Sequence, residues 1–195
     1  MNPRTFATGG YDHVVHLWKL TEDSQGAIAS PLAIRHASLV QSLLPICDTS
    51  CKLVSAGADC SVHLWDLSSE RVVNTMKTSN SVYHVHKTLT SFSTLLEVAH
   101  RELQFEVRDH RLVPERPVQR FGYEASKPHG RDGIFACGDR EGNVRLWDLR
   151  NTAHALQVLP AVSGRKLAQV IFSDNYLVAS SEDQRLAFMP CFGQP

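Results

Sequence analysis

Ten histidines, twenty acidic residues and five cysteines supply the side chains that could do chemistry in this 195-residue chain. His84 and His86 stand two apart, which on a strand puts both rings on one face, as a pair of metal ligands requires. No third ligand accompanies them, so they read as strand residues near a sheet surface, and no metal is expected. Cys47, Cys51, Cys60, Cys137 and Cys191 include no Cys-x-x-Cys pair, which argues against a structural zinc site. Cys47, Cys51 and Cys60 could approach one another, and they read as buried thiols and not as a redox centre. Ser-x-x-Lys, Gly-x-Ser-x-Gly, a phosphate-cradling glycine loop and a paired set of catalytic carboxylates are all missing. The chain is therefore expected to be no enzyme and to use no cofactor. Arg108, Arg111, Arg116 and Arg120 make one segment locally basic. Asp109 and Glu115 are interleaved with them, which is the pattern of a solvated loop and not of a nucleic-acid site.

Charge and composition agree with that reading. Lys plus Arg equals Asp plus Glu, for a formal net charge of zero. That gives no general attraction to nucleic acid or to an anionic membrane, and little protection against self-association. With 43% apolar and 21% charged residues the composition is that of a soluble globular protein. The N-terminal residues lack the apolar core of a signal sequence, and no run approaches the ~20 apolar residues of a membrane span. An odd cysteine count without a signal sequence favours reduced thiols. An intracellular protein, nuclear or cytoplasmic and not secreted, is expected.

The elements that would position these side chains are hairpins. Leu53–Leu67 reads as strand, tight turn and strand, with Asp59 in the turn. Val62 and Leu64 lie on one face of the second strand, and His63 and Trp65 on the other. Phe6–Leu20 and Phe135–Leu149 repeat the pattern. All three tryptophans, Trp18, Trp65 and Trp147, end such hairpins, the first two 47 residues apart and the last two 82 apart. Weaker copies are expected at Leu95–Arg108, with Glu106 where Trp would stand, and at Leu177–Phe192, with Asp183 in the turn and Met189 at the Trp position. His16 and His63 each stand two residues before a Trp, and that regularity implies a structural role. Further strands are predicted at Leu32–Ile34, His36–Ile46, Val72–Met76, Val82–His86, Leu156–Leu159 and Leu167–Phe172, about four per repeat. Between Asp109 and Asp132 one good candidate stands out, Val118–Tyr123.

Four strands per repeat of roughly forty residues, closing on Leu-Trp-Asp, resembles the WD-repeat (tryptophan–aspartate) family of β-propellers. The resemblance covers nearly the whole chain. It implies an all-β fold, a single domain over 1–195 with about five blades or part-blades near 6–20, 53–67, 95–108, 135–149 and 177–192. The chain begins at what reads as the second strand of one blade and ends at the third strand of another. A partial propeller, an open or incomplete ring, is the expected form, with self-association if the ring is open. The resemblance also implies a hydrogen-bonded set in each blade, best matched by His36, Ser55, Asp59 and Trp65. The first blade retains Thr8, Asp12 and Trp18, and the fourth Cys137, Glu141 and Trp147.

Family members act as scaffolds, so protein partners are expected and no direct nucleic acid or membrane contact. Trp147-Asp148-Leu149-Arg150 resembles the signature by which some members dock on the adaptor of cullin-RING ubiquitin ligases. Arg150 would then make the contact and Asp148 position it; the alternative is an ordinary turn pair on a blade rim. A propeller-borne hydrolase or lyase would need His and acidic residues clustered around a central channel.

Overall fold

A computed structural model describes residues 4–22, 25–46, 51–112, 116–122, 129–131 and 133–190. Among them there is no helix; the strands form five antiparallel sheets of three or four strands each. The chain divides into two compact units, residues 1–100 with 105–118, and residues 101–104 with 119–195.

In the first unit, β1 (Thr5–Thr8), β2 (His16–Leu20) and β3 (Ala27–Pro31) make the first sheet, and β4 (Val40–Ile46), β5 (Lys52–Gly57), β6 (Ser61–Asp66) and β7 (Arg71–Lys77) the second. The third follows with β8 (Val82–Lys87), β9 (Ser93–Val98) and β10 (Phe105–Asp109). The second unit holds β11 (Gln119–Phe121), then a sheet of β12 (His129–Arg131), β13 (Ile134–Gly138), β14 (Asn143–Asp148) and β15 (Gln157–Pro160). Its last sheet is β16 (Leu167–Ser173), β17 (Tyr176–Ser181) and β18 (Leu186–Pro190).

Each central hairpin keeps one register. Leu53 faces Trp65, Phe6 faces Trp18, Phe135 faces Trp147 and Leu177 faces Met189. The turns need a residue with positive φ just after the turn acid position. Cys60 supplies it at 59° and Gly142 at 90°; a Cβ on Gly142 would lie 1.6 Å from the Val162 carbonyl oxygen, so only glycine fits there. β4, β8 and β16 each carry a one-residue irregularity early in the strand, at Val40/Ser42, Val82/His84 and Leu167/Gln169. Such bulges sharpen the local twist, and Val40, Val82 and Leu167 are buried beside them.

The sheets stack face to face within each unit. Alternation makes this possible, because Val62 and Leu64 point one way and Trp65 the other. Val15 and Leu17 of the first sheet bury Leu53 and Trp65 of the second. Val54, Ala56, Val62 and Leu64 bury Val82, Val85, Leu96 and Val98 of the third. Ala136, Val144 and Leu146 cover Val170, Leu177 and Ala179 in the second unit. Each such aliphatic side chain contributes roughly 1.5–3 kcal/mol of burial.

Four strand expectations need correcting. Leu32–Ile34 is not a strand; the pairing segment is β3, five residues earlier at its start, where exposed small residues carry no burial pattern. The strand predicted from His36 begins at Val40, because His36 turns into a side-chain network. A further short strand, β12, lies in the segment where Val118–Tyr123 is the one candidate expected. Val118–Tyr123 shortens to β11, with Tyr123 outside the described residues, as are Cys47, Cys191 and Phe192.

Candidate partner-binding site

The second sheet contains a continuous set of side-chain bonds. Trp65 Nε1 donates to Ser55 Oγ at 2.9 Å, and Ser55 Oγ lies 2.9 Å from His36 Nε2. His36 Nδ1 is 3.1 and 3.2 Å from the two Asp59 oxygens. Asp59 also accepts the Ala37 and Ser61 backbone N–H groups at 2.8 and 3.1 Å. Burial works against its charge, but the Ala37 N–H, His36 and the Ser61 N–H together hold the carboxyl below its usual range. One proton order satisfies every partner: Trp65 to Ser55, Ser55 to His36, His36 to Asp59. A Cβ at Gly57 would lie 2.7 Å from both His36 Nδ1 and Asp59 Oδ1, so the network needs a glycine beside it.

Ser55, His36 and Asp59 have the connectivity of a nucleophilic triad. Ser55 is nonetheless fully buried, and its oxygen already accepts the Trp65 N–H. The bonds tie strand to strand within the sheet.

The other sheets vary this theme. In the first, Trp18 Nε1 donates to Thr8 Oγ1 at 2.8 Å in an exposed setting, while Asp12 takes His16 at 2.8 Å and the Val14 N–H at 3.3 Å. In the fourth, Trp147 is buried against Phe121 and Phe135, and Cys137 fills the Ser55 position. Glu141 stands exposed, and the buried carboxylate of that turn belongs to Asp139, which accepts the Glu141 and Asn143 N–H groups at 2.9 and 2.8 Å. By register Asp139 occupies the place of Gly57, the space that His36 approaches in the second sheet. In the fifth, Ala179 and Met189 replace Ser and Trp, and Asp183 bonds to Ser181 and pairs with Arg185 at 3.2 Å.

The third sheet corrects a predicted position. Ser93 faces Asp109 as Lys52 faces Asp66, so Arg108, not Glu106, stands where Trp65 stands. Both are buried, and Arg108 Nη2 donates to Glu106 Oε2 at 2.6 Å. The prediction halves the 82-residue spacing between Trp65 and Trp147; a longer connection between β9 and β10 displaces the position by two residues.

That shift exposes a second copy of the rim motif. Arg150 donates through its backbone N–H and Nε to Asp148 Oδ1, each at 2.9 Å, and through Nη2 to Oδ2 at 2.6 Å. The guanidinium first, then the backbone N–H, pulls the Asp148 carboxyl down to about 2. Asp109 takes Arg111 in the same way, at 2.9, 3.0 and 2.7 Å, and the Arg111 guanidinium lies 3.5 Å over the Phe92 ring. Asp66 closes its turn on the Ser68 N–H. The aspartate thus fixes a turn after the second, third and fourth hairpins, and in the third and fourth the arginine two residues on braces it. Identical Asp-x-Arg spacing was the signal in the sequence for this repetition. Arg150 remains three-quarters exposed and lines an open cavity of about 600 Å³ with Arg145, Trp147, Phe121 and His154.

His84 and His86 lie with ring centroids 6.0 Å apart, and among the described residues no three His, Cys, Asp or Glu side chains converge as metal ligands would. No helix is long and apolar enough to cross a membrane.

Residues 30–66 match the family model described as WD domain, G-beta repeat, a span that holds His36, Ser55, Asp59 and Trp65 together. That stretch of the chain thus matches a WD repeat. It is similar to the methylosome protein WDR77 of Xenopus laevis, 26% identical over 184 residues, which is 90% of this chain and 54% of that protein. The chain therefore spans about half the length of that relative.

Proposed function

We propose that this chain is a non-enzymatic scaffold that binds protein partners through the faces and rims of its sheets, inside the cell, in nucleus or cytoplasm. The observation that carries the reading is the fate of its Ser, His and Asp side chains. Ser55, His36 and Asp59 are bonded to one another inside a sheet, and Asp66, Asp109 and Asp148 close turns at sheet ends, so these groups support surface and not chemistry. The WD repeat and a relative named as a methylosome protein support the same reading, a part in a multi-protein assembly. Affinity purification of the tagged chain from native cells is expected to recover at least one protein partner in stoichiometric amount; recovery of the chain alone would overturn the proposal.

A narrower reading gives the partner as the adaptor of a cullin-RING ubiquitin ligase, docked at Trp147-Asp148-Leu149-Arg150. Its support is an arginine held in one orientation by two-point contact with Asp148, yet exposed at the mouth of a cavity. Arg150→Ala should abolish adaptor binding in a pull-down and leave the melting temperature unchanged. Arg111→Ala, at the duplicate motif, should leave that binding intact, since Arg111 already lies against Phe92. Unaltered binding of the Arg150→Ala chain sinks this reading.

A further inference from the structure

The cavity beside Arg150 is walled by charge of one sign. All of its lining residues belong to the second unit. Three are arginines, Arg120, Arg145 and Arg150, with the exposed His154 beside them, and no aspartate or glutamate is among the described residues that line it. Two carboxylates lie behind these cations. Asp139, fully buried, is 3.3 Å from Arg145 Nε, and Asp148 holds Arg150 through Nε and Nη2. Three arginines against two aspartates leave the cluster with one positive charge. The Asp148 contact also leaves the two Nη1 hydrogens and one Nη2 hydrogen of Arg150 for a further acceptor. Arg145 is a departure from the second sheet. Cys137 faces Arg145 as Ser55 faces His63. A ring that packs against His36 in the second sheet is thus replaced in the fourth by a cation on a cavity wall.

The rest of the lining distinguishes among anions. Phe121 and Trp147 contribute to it, yet each is only 4% exposed. Neither offers a ring face on which a nucleic-acid base would stack. β11, which supplies Arg120 and Phe121, is the end strand of its sheet, so an extended peptide can lie along it. Asn151 and Thr152 add side chains that hydrogen-bond main-chain groups. One positive charge matches one carboxylate, whereas a phosphate monoester near neutral pH carries about two negative charges.

We infer that this cavity receives an acidic peptide segment of a protein partner, with an aspartate or glutamate carboxylate of that segment bonded by the arginine wall. The inference rests on the scaffold reading, to which it adds the chemistry of the partner. It shares Arg150 with the adaptor reading but does not need it. Arg150 is held in one orientation before the partner arrives, so little side-chain freedom is lost on binding. Guanidinium and carboxylate meet in a two-point geometry, which gives direction as well as attraction. The net charge of the whole chain is zero, so attraction of an acidic segment comes from this local cluster and not from a general field.

Fluorescence anisotropy of fluorescein-labelled hexaglutamate, titrated with the full chain at low and at physiological salt, tests this. The expected result is saturable binding that weakens as salt rises. Arg120→Gln and Arg150→Ala are each expected to weaken it at least about fivefold. His154→Glu, which adds a carboxylate at the cavity wall, should do the same. All three positions are exposed, and far-UV circular dichroism checks the fold, so one misfolded variant leaves two that decide. Arg111→Gln removes the same charge from the like motif outside the cavity and should leave the affinity within about twofold. Absence of saturable binding, or a loss with Arg111→Gln equal to that with Arg120→Gln, would overturn the inference. So would tighter binding of labelled hexauridylate, or displacement of the probe by inorganic phosphate at a lower concentration than by unlabelled hexaglutamate. Partner recovery by affinity purification is read separately. A chain that recovers a partner yet ignores hexaglutamate keeps the scaffold reading and loses this one.

Discussion

Ser55 is the smallest side chain in its network and the one on which most depends. It is the acceptor for Trp65 and the partner of His36, and it has no exposure to water. Ser55→Ala leaves two buried polar groups without a partner and should cost about 2–4 kcal/mol in urea unfolding. Thr8→Ala removes the matching bond in the first sheet, where water can replace it, and should cost less than about 1 kcal/mol. Equal costs would mean that burial does not govern these bonds. Gly57→Ala pushes a methyl group against His36 and Asp59 and should destabilise by roughly 1–3 kcal/mol. His63 supplies the pH dependence. Burial, then the nearby His36, lowers its pKa to about 4 from 6.5. The unfolded chain then binds the extra proton first, so stability present above pH 6.5 is lost as pH falls towards 4. After allowance for solvent screening the loss is on the order of 2 kcal/mol. Burial lowers the pKa of His110 as well, adding in the same direction. Unfolding measured against pH should show a shallower slope for His63→Gln; an unchanged slope contradicts the assignment.

At the scale of the element, the hairpins were legible in the sequence because two signals coincided, period-two alternation and a turn acid. In the second sheet, β6 follows from Val62, Leu64 and Trp65, and β5 from the short run Leu53–Gly57 before the turn. The outer strands were harder. β3 is mostly exposed, so burial imposed no pattern on it, and the more apolar Leu32–Ile34 was mistaken for it. The Arg108 position was misplaced for another reason: sequence spacing cannot reveal how many residues a connection holds, and only the pairing of Ser93 with Asp109 does. Asp139 was passed over because its role depends on a histidine that is missing. The turn keeps its buried carboxylate two residues earlier, in the space a histidine would fill. The buried Glu106–Arg108 pair follows the rule for ionic groups away from water: removing one partner is costly because the other charge is stranded. Arg108→Met should therefore destabilise by about 3–5 kcal/mol, and Glu106→Leu with Arg108→Met together by much less. A double-mutant cycle checks it, and additive losses would contradict it.

For the whole molecule, the repeat told what each sheet is but not which faces remain open. Openness is decided by neighbours, and Leu186 and Phe188, both exposed in β18, read in the sequence like any other strand residues. The central claim is that alike sheets gain stability from the faces that cover them. Amide hydrogen exchange read strand by strand by mass spectrometry tests this most directly. The account predicts slowest exchange in β5 and β6, which are covered on both faces, and clearly faster exchange in β17 and β18, whose hydrogen-bond register is the same but whose outer face is open. Protection of β17 and β18 equal to that of β5 and β6 would contradict it.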